Sequence, residues 1–339
     1  MPRIGYNPSR GQETDYHPAR VTVAVLTYLP NQDGYFRDRL DVTRTCIESI
    51  LANTQGEYDS LVFDNGSCAL LVDYLRGLRQ RGLIDYLLLS SRNVGKIAAL
   101  QMIFRLAPGD IVAYTDDDIF FLPGWLEAHL KLIDTYPRVG MVTGLYIRPR
   151  VNEYTASTLA FAQNLPGGGQ TPSGIGQVEI TRGLFIPRAW EDEYIQNSNR
   201  TWESYAKEIE GIEDVALKYQ GVEALVSAHH FQFVSPRQVM LEALPQGWIG
   251  QLMGQMSVLD KKVDDLGYLR LSTRQQTVRL LGNSLNPEMS AEAAKLGLAV
   301  KRASGFSKPP SLAVRLAHLP GVQRVARLFY NRLYDLINQ

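Results

Sequence analysis

Four short apolar runs rich in β-branched residues, each followed by a segment with helical spacing, occupy the first part of this chain. Residues 21–29 are nearly continuous in apolar character, as a strand buried on both faces must be. Residues 41–52 follow, with Val42, Cys46, Ile47, Ile50 and Leu51 on one helical stripe. A second strand at 60–63 stops at Asp64-Asn65-Gly66-Ser67, and 70–81 is helical. A third strand at 87–90 leads through Arg92-Asn93-Val94-Gly95-Lys96 into a helix at 97–106. The fourth strand, from 111, is followed by Pro123-Gly124 and a helix at 125–133. Strands alternating with helices pair in parallel, because each crossover returns the chain to the same end of the sheet. The expected fold class is therefore α/β, a Rossmann-like, doubly wound, mostly parallel sheet.

Past a further strand at 139–147 the pattern loosens. Residues 165–176 are glycine-rich and read as a long loop, of the kind that either serves function or lies on the surface. Structured sequence returns at 177–186, with a helix around 202–208, a second helix around 213–219 and a strand around 224–228. Beyond Pro236 the segments read as helical. The expected organisation is a flexible N-terminal tail at 1–20, a catalytic domain at 21–238 and a mainly helical region at 239–339.

Composition narrows the function. Lys+Arg and Asp+Glu both number 35, so no global charge argues for a nucleic-acid partner. The two cysteines, Cys46 and Cys68, have no metal-ligand spacing and fit a reducing compartment. The N-terminus is polar and proline-punctuated rather than a signal sequence, and no apolar run approaches the ~20 residues needed to cross a bilayer. The expected location is cytoplasmic.

The chemistry concentrates in Asp116-Asp117-Asp118, three repelling carboxylates at the end of the fourth strand. Open α/β sheets bind ligands at such strand ends. Alternate aspartates there suit a divalent cation, Mn²⁺ or Mg²⁺, and through it a diphosphate; an acidic surface turn is the structural alternative. Asp64 closes the second strand as either a turn-former or an acceptor for a base N–H. Lys96 opens a helix, where a phosphate would meet helix N–H groups, or it is a solvated lysine.

In order and spacing, Val-Phe-Asp64-Asn-Gly-Ser, Asn93-x-Gly, Asp116-x-Asp118 with Leu-Pro-Gly-Trp, and Glu213-Asp214 resemble the signatures of the family 2 glycosyltransferases of glycosyltransferase A fold. The resemblance runs from about residue 21 to 233. It implies an enzyme that moves a sugar from a nucleoside-diphosphate sugar to an acceptor hydroxyl with inversion. Thr27, Asp64, Asn93, Lys96, Asp116 and Asp117 would face the donor, and Asp118 would hold the metal with His229 or His230, His229 being favoured. Asp214, or Glu213 beside it, would be the general base. Gly183 and Trp190 would face the acceptor.

A retaining transferase of the same fold and a nucleotidyltransferase are the alternatives. The latter would carry a glycine-rich, basic phosphate loop near the first strand, which Leu29-Pro-Asn-Gln-Asp-Gly is not. At 312–319 and 322–337, apolar helical stripes carry Arg315, Arg324, Arg327 and Arg332. Such a tail docks on the protein or a second copy, forming a homodimer, or contacts the inner face of an anionic membrane. In the membrane case the acceptor would be a lipid-linked or membrane-proximal glycan.

Overall fold

The computed structural model describes residues 5–7, 9–163, 178–198, 200–247, 252 and 256–298. Its strands are β1 (Val21–Thr27), β2 (Asp59–Asp64), β3 (Tyr86–Leu89), β4 (Ile111–Asp116), β5 (Ile119–Phe121), β6 (Val139–Thr143), β7 (Glu179–Gly183), β8 (Asp214–Tyr219), β9 (Val222–Val226), β10 (Gln232–Pro236), β11 (Leu269–Thr273) and β12 (Val278–Leu280). The helices are α1 (Arg39–Asn53), α2 (Ala69–Gln80), α3 (Lys96–Leu106), α4 (Trp125–Thr135), α5 (Ala156–Ala162), α6 (Arg188–Asn197), α7 (Trp202–Glu208), α8 (Arg237–Ala243), α9 (Met256–Asp265) and α10 (Pro287–Lys295).

Ten strands form one sheet in the order β3-β2-β1-β4-β10-β6-β11-β9-β8-β7, and β12 pairs with β5 beside it. The expected parallel arm is present: β1 pairs in parallel with β2 and β4, and β2 with β3. Antiparallel β10 then separates β4 from β6. Across the sheet β7, β9 and β10 oppose the other seven strands. The α/β architecture inferred from the alternation is thus the one observed.

Period-two alternation in β1 and β4 builds a core on each face, and a third core gathers Val142, Leu217, Leu225 and Leu271 of β6, β8, β9 and β11. Val21, Val23 and Val25 of β1 with Ile111 and Ala113 of β4 pack under α1 and α2. Ala24 and Leu26 with Val112 and Tyr114 pack under α3, α8 and α9. Burial on both faces is why these strands read as unbroken apolar runs.

Two expectations change. Residues 213–219 were expected as a helix, but Asp214–Tyr219 is strand β8. Val215, Leu217 and Tyr219 are buried while Ala216 and Lys218 are only partly so, which is strand periodicity. Gln220 and Gly221, with φ of 49° and 79°, form the two-residue reversal into β9, the left-handed pair a tight hairpin needs.

The domain boundary expected at 238 also cuts through the sheet. β11 lies between β6 and β9, and β12 caps β5. Without β11, two strands would expose unpaired edges in the sheet's interior. The 1–20 tail is anchored at its end, where Tyr16 Oη and Ala19 N donate to Asp59, at 3.1 and 2.8 Å. Among the described residues no helix is long and apolar enough to cross a membrane. The 165–176 loop and the 312–337 amphipathic tail lie outside the described residues.

Two buried histidines set an acid limit on this fold. His129 is held by Trp125 O at 2.7 Å, and burial drives its pKa down to about 4. Burial likewise takes His229 down to about 3. Both are neutral in the fold but take up protons when unfolded below pH ~6.5, so the stability they contribute is present above that value and lost as pH falls towards 4. Asp117, pushed up to about 6 by burial, acts in the opposite sense. Unfolding between pH 4 and 6 should therefore take up about one net proton, two histidines less one aspartate, which changes stability by about 1.4 kcal/mol per pH unit. A flat profile of thermal unfolding across that window would refute it.

Candidate active site at the switch of strand order

From β1 the chain builds β2 and β3 on one side, then returns to place β4 on the other. The carboxyl ends of β1 and β4 therefore flank a topological switch point, where doubly wound sheets leave a crevice. Thr27 stands level with Asp64, and Leu26 with Asp116. Backbone register alone thus brings together residues from three separate strands.

Asp64 is fully buried; Thr27 Oγ1 donates to its Oδ1 at 3.0 Å and Ser67 N to its Oδ2 at 3.0 Å. Asn65 Nδ2 donates to Asn93 Oδ1 at 3.0 Å, and Asn65 Oδ1 accepts from Val94 N at 2.8 Å. The two loops touch so closely that a Cβ on Gly66, φ +87°, would lie 2.6 Å from the carbonyl carbon of Arg92. Glycine is required there by contact as well as by backbone angle. Asn93 thus fastens the β2 and β3 loops together.

Lys96, the first residue of α3, reaches Asp116 Oδ2 at 2.5 Å, and Tyr114 Oη donates to Asp116 Oδ1 at 2.6 Å. Asp117 turns inward: Arg39 binds its Oδ1, while Thr43 Oγ1 donates to Oδ2 at 2.9 Å and Tyr28 N at 3.3 Å. Burial nevertheless outweighs these contacts and raises its pKa. Asp118 shares Oδ2 with Arg39 Nη1 at 3.0 Å and keeps a third of its side chain exposed.

Arg39 was absent from the expected set. The signal was present, since 39, 43, 46 and 50 share one helical stripe. A charged residue on an otherwise buried face demands a buried partner.

The histidines reach the same end of the sheet, because Phe231 O accepts from Asp116 N at 2.8 Å. One of the two was expected as a metal ligand, His229 being favoured, and each has one ring nitrogen engaged within the protein. His229 Nε2 meets Leu145 O at 2.8 Å and its ring stacks on Phe231. His230 Nδ1 meets Asp260 Oδ2 at 2.7 Å. Among the described residues no group of three or more His, Cys, Asp or Glu is set to hold a metal. The hard carboxylate oxygens of Asp118 and Asp116 fit Mg²⁺ or Mn²⁺ by chemistry; the favoured His229 turns its Nε2 to a carbonyl, whereas Asp260 holds only the Nδ1 of His230.

Glu213 and Asp214 are not brought to the aspartates. Asp214 opens β8 rather than a helix, four strands beyond β10 in the sheet. It is fully buried and accepts from Arg148 Nε at 2.8 Å, Phe185 N at 2.9 Å and Ile186 N at 3.0 Å. That is the setting of an anchor. Glu213 is exposed beside it. Gly183 ends the edge strand β7 opposite Asp214, and half-buried Trp190 packs on the adjoining core.

Residues 35–182, somewhat under half of the chain, match the family described as Glycosyl transferase family 2. No curated protein matches. Among solved structures, S. aureus TarS 1-349 aligns at 12% identity and TM-score 0.44, over 82% of this chain and 64% of that one. Mannosyltransferase PcManGT from Pyrobaculum calidifontis, in complex with GDP-Man and Mn²⁺, aligns at 21% and 0.34 over 47% and 49%. GalNAc-T7 with UDP, GalNAc and Mn²⁺ aligns at 14% and 0.44 over 77% and 44%. The chain thus spans less than two thirds of the length of each of these. At such scores they carry no argument about ligands.

Proposed function

We propose that this chain, whose residues 35–182 match the family described as Glycosyl transferase family 2, transfers a sugar from a nucleoside-diphosphate sugar to an acceptor hydroxyl. The observation that carries the reading is the convergence of Thr27, Asp64, Lys96 and Asp116–Asp118 on the strand-order switch point. The base would lie against Thr27 and Asp64, with one of their internal hydrogen bonds exchanged for a base N–H. The diphosphate would lie between Lys96 and the aspartates, where a compact ammonium suits phosphate oxygen.

A divalent cation would be held by Asp118 with Asp116. Bound there, it would offset charge on the departing diphosphate. Lys96 adds to that on its own account and needs only to shift from Asp116 Oδ2. The protein's task is then to orient the sugar and exclude water.

Inversion needs a group that takes the acceptor's proton. The enclosure of Asp214 argues against it. His230 has the better setting: Asp260 orients its Nδ1, and 23% of its side chain stays exposed. Burial works against the charge on Asp260, but His230 and Arg270, whose Nη2 lies 3.0 Å away, prevail and hold its pKa below the usual carboxylate range. A carboxylate behind an imidazole is the arrangement that fixes a basic Nε2. His230→Gln should leave nucleotide binding intact and cut transfer by ~10²-fold or more; turnover near wild type would exclude it.

Titration calorimetry of the protein with UDP, GDP and dTDP, with and without Mn²⁺, tests the reading as a whole. Binding of at least one that tightens with Mn²⁺ is expected. No binding of any would refute the assignment.

A further inference from the structure

We infer that Arg39 is a resident counter-ion of the acidic turn, which keeps the turn from holding a divalent cation until a nucleoside diphosphate arrives with it. The inference rests on the donor-site reading above and deepens it.

The charge balance is explicit. Asp116, Asp117 and Asp118 supply three negative charges within three residues, and Arg39 and Lys96 return two positive ones in direct contact. The turn therefore presents one net negative charge, not three. Arg39 cannot shed its proton, so the compensation is permanent as long as the side chain stays in place.

Position is equally constrained. The Arg39 side chain is only 9% exposed and its Nη1 also donates to Gly282 O at 3.2 Å. Gly282 follows β12, and Leu281 N donates to Asp118 O at 2.8 Å. The guanidinium is thus clamped between α1, the acidic turn and the chain after β12. It spans the two carboxylates with separate nitrogens, a fork that a point charge would not reproduce.

The consequence follows from ligand supply. Divalent cations of this class require about six oxygen ligands. Asp117 gives its oxygens to Arg39, Thr43 and Tyr28, and Asp116 gives its to Tyr114 and Lys96. Asp118 is the most exposed of the three. A bare cation meets few ligands and two neighbouring positive charges. A nucleoside diphosphate brings both the missing oxygens and the missing negative charge, and its phosphates can draw Lys96 off Asp116. Cation and nucleotide should therefore bind with strong mutual coupling, and by linkage each should raise the affinity of the other equally.

The test is Mn²⁺ binding, read by calorimetry or by loss of the free-ion resonance signal, to the full-length protein alone and saturated with UDP or GDP. In the wild type, the nucleotide should raise Mn²⁺ affinity at least tenfold. In Arg39→Gln, Mn²⁺ alone should bind roughly tenfold or more tightly than to the wild type, because a unit charge within a few ångströms is removed, and the coupling should shrink. Arg39→Lys, which keeps the charge but not the fork, should bind Mn²⁺ alone more weakly than Arg39→Gln does. Thermal unfolding identifies a variant that has lost its fold, and the wild-type comparison stands without any variant. Equal Mn²⁺ affinity with and without nucleotide, or Arg39→Gln matching the wild type for Mn²⁺ alone, would overturn the inference while leaving the donor site in place. Failure of the wild type to bind either nucleotide, with or without Mn²⁺, would instead strike the functional reading.

Discussion

Asp118→Asn is expected to remove the Mn²⁺-dependent part of nucleoside-diphosphate binding and to lower sugar transfer by about 10³-fold, since a bound cation contributes several kcal/mol to a charged transition state. The amide keeps the shape and one carbonyl oxygen, but not the charge that a hard cation needs. The fold should survive, because Asp118 is partly exposed and Arg39 retains Asp117 as its closer partner. Removing one of three crowded carboxylates also relieves repulsion. Nucleotide affinity that still rises normally with Mn²⁺ in this variant would show that the cation, if one is used, sits elsewhere.

Arg148→Ala should be the most destabilising single substitution among the ion pairs, by about 3–5 kcal/mol, with far less direct consequence for nucleotide affinity in the molecules that remain folded. Arg148 binds Asp214 through Nε and Nη2, at 2.8 and 3.3 Å, and Glu191 at 3.1 Å. Asp214 is wholly buried and Glu191 nearly so. Truncating the arginine would strand two carboxylates away from water, and an uncompensated buried charge costs on that scale. Asp214→Asn leaves the N–H groups of Phe185 and Ile186 an oxygen to bind and should cost less than Arg148→Ala. Denaturant unfolding measures both. If Arg148→Ala unfolds within about 1 kcal/mol of the wild type, the network is wet or readily rearranged. If Asp214→Asn keeps its stability but loses transfer while His230→Gln does not, Asp214 is the base after all.

These two outcomes mark where local pattern stopped being informative. Asp116 at a strand end, Lys96 at a helix start and Asn93 two residues before Gly95 were legible because each depends on nearby residues in the chain. Apolar runs define strands buried on both faces, and the polar residue that ends each run must emerge at the sheet's rim. Glu213-Asp214 had the appearance of a helix head, yet Val215, Leu217 and Tyr219 alternate inward. The two-residue period was visible over that short stretch, and the hairpin partner β9 decided in its favour.

The amino-acid sequence by itself determined the α/β class, the four parallel strands from β1 to β4 and the location of the acidic turn. It did so because strand and helix periods, breakers and strand-end polar residues are properties of contiguous chain. Tertiary structure alone decided that β10 enters antiparallel beside β4, that β11 completes the sheet from beyond the expected boundary, and that the histidines turn to Leu145 and Asp260. It also decided the charge of the site. Arg39 and Asp117 lie 78 residues apart, as Arg148 and Asp214 lie 66 apart. Nothing within either segment specifies which buried carboxylate a guanidinium will meet, because that choice is made by the packing of elements distant in the chain.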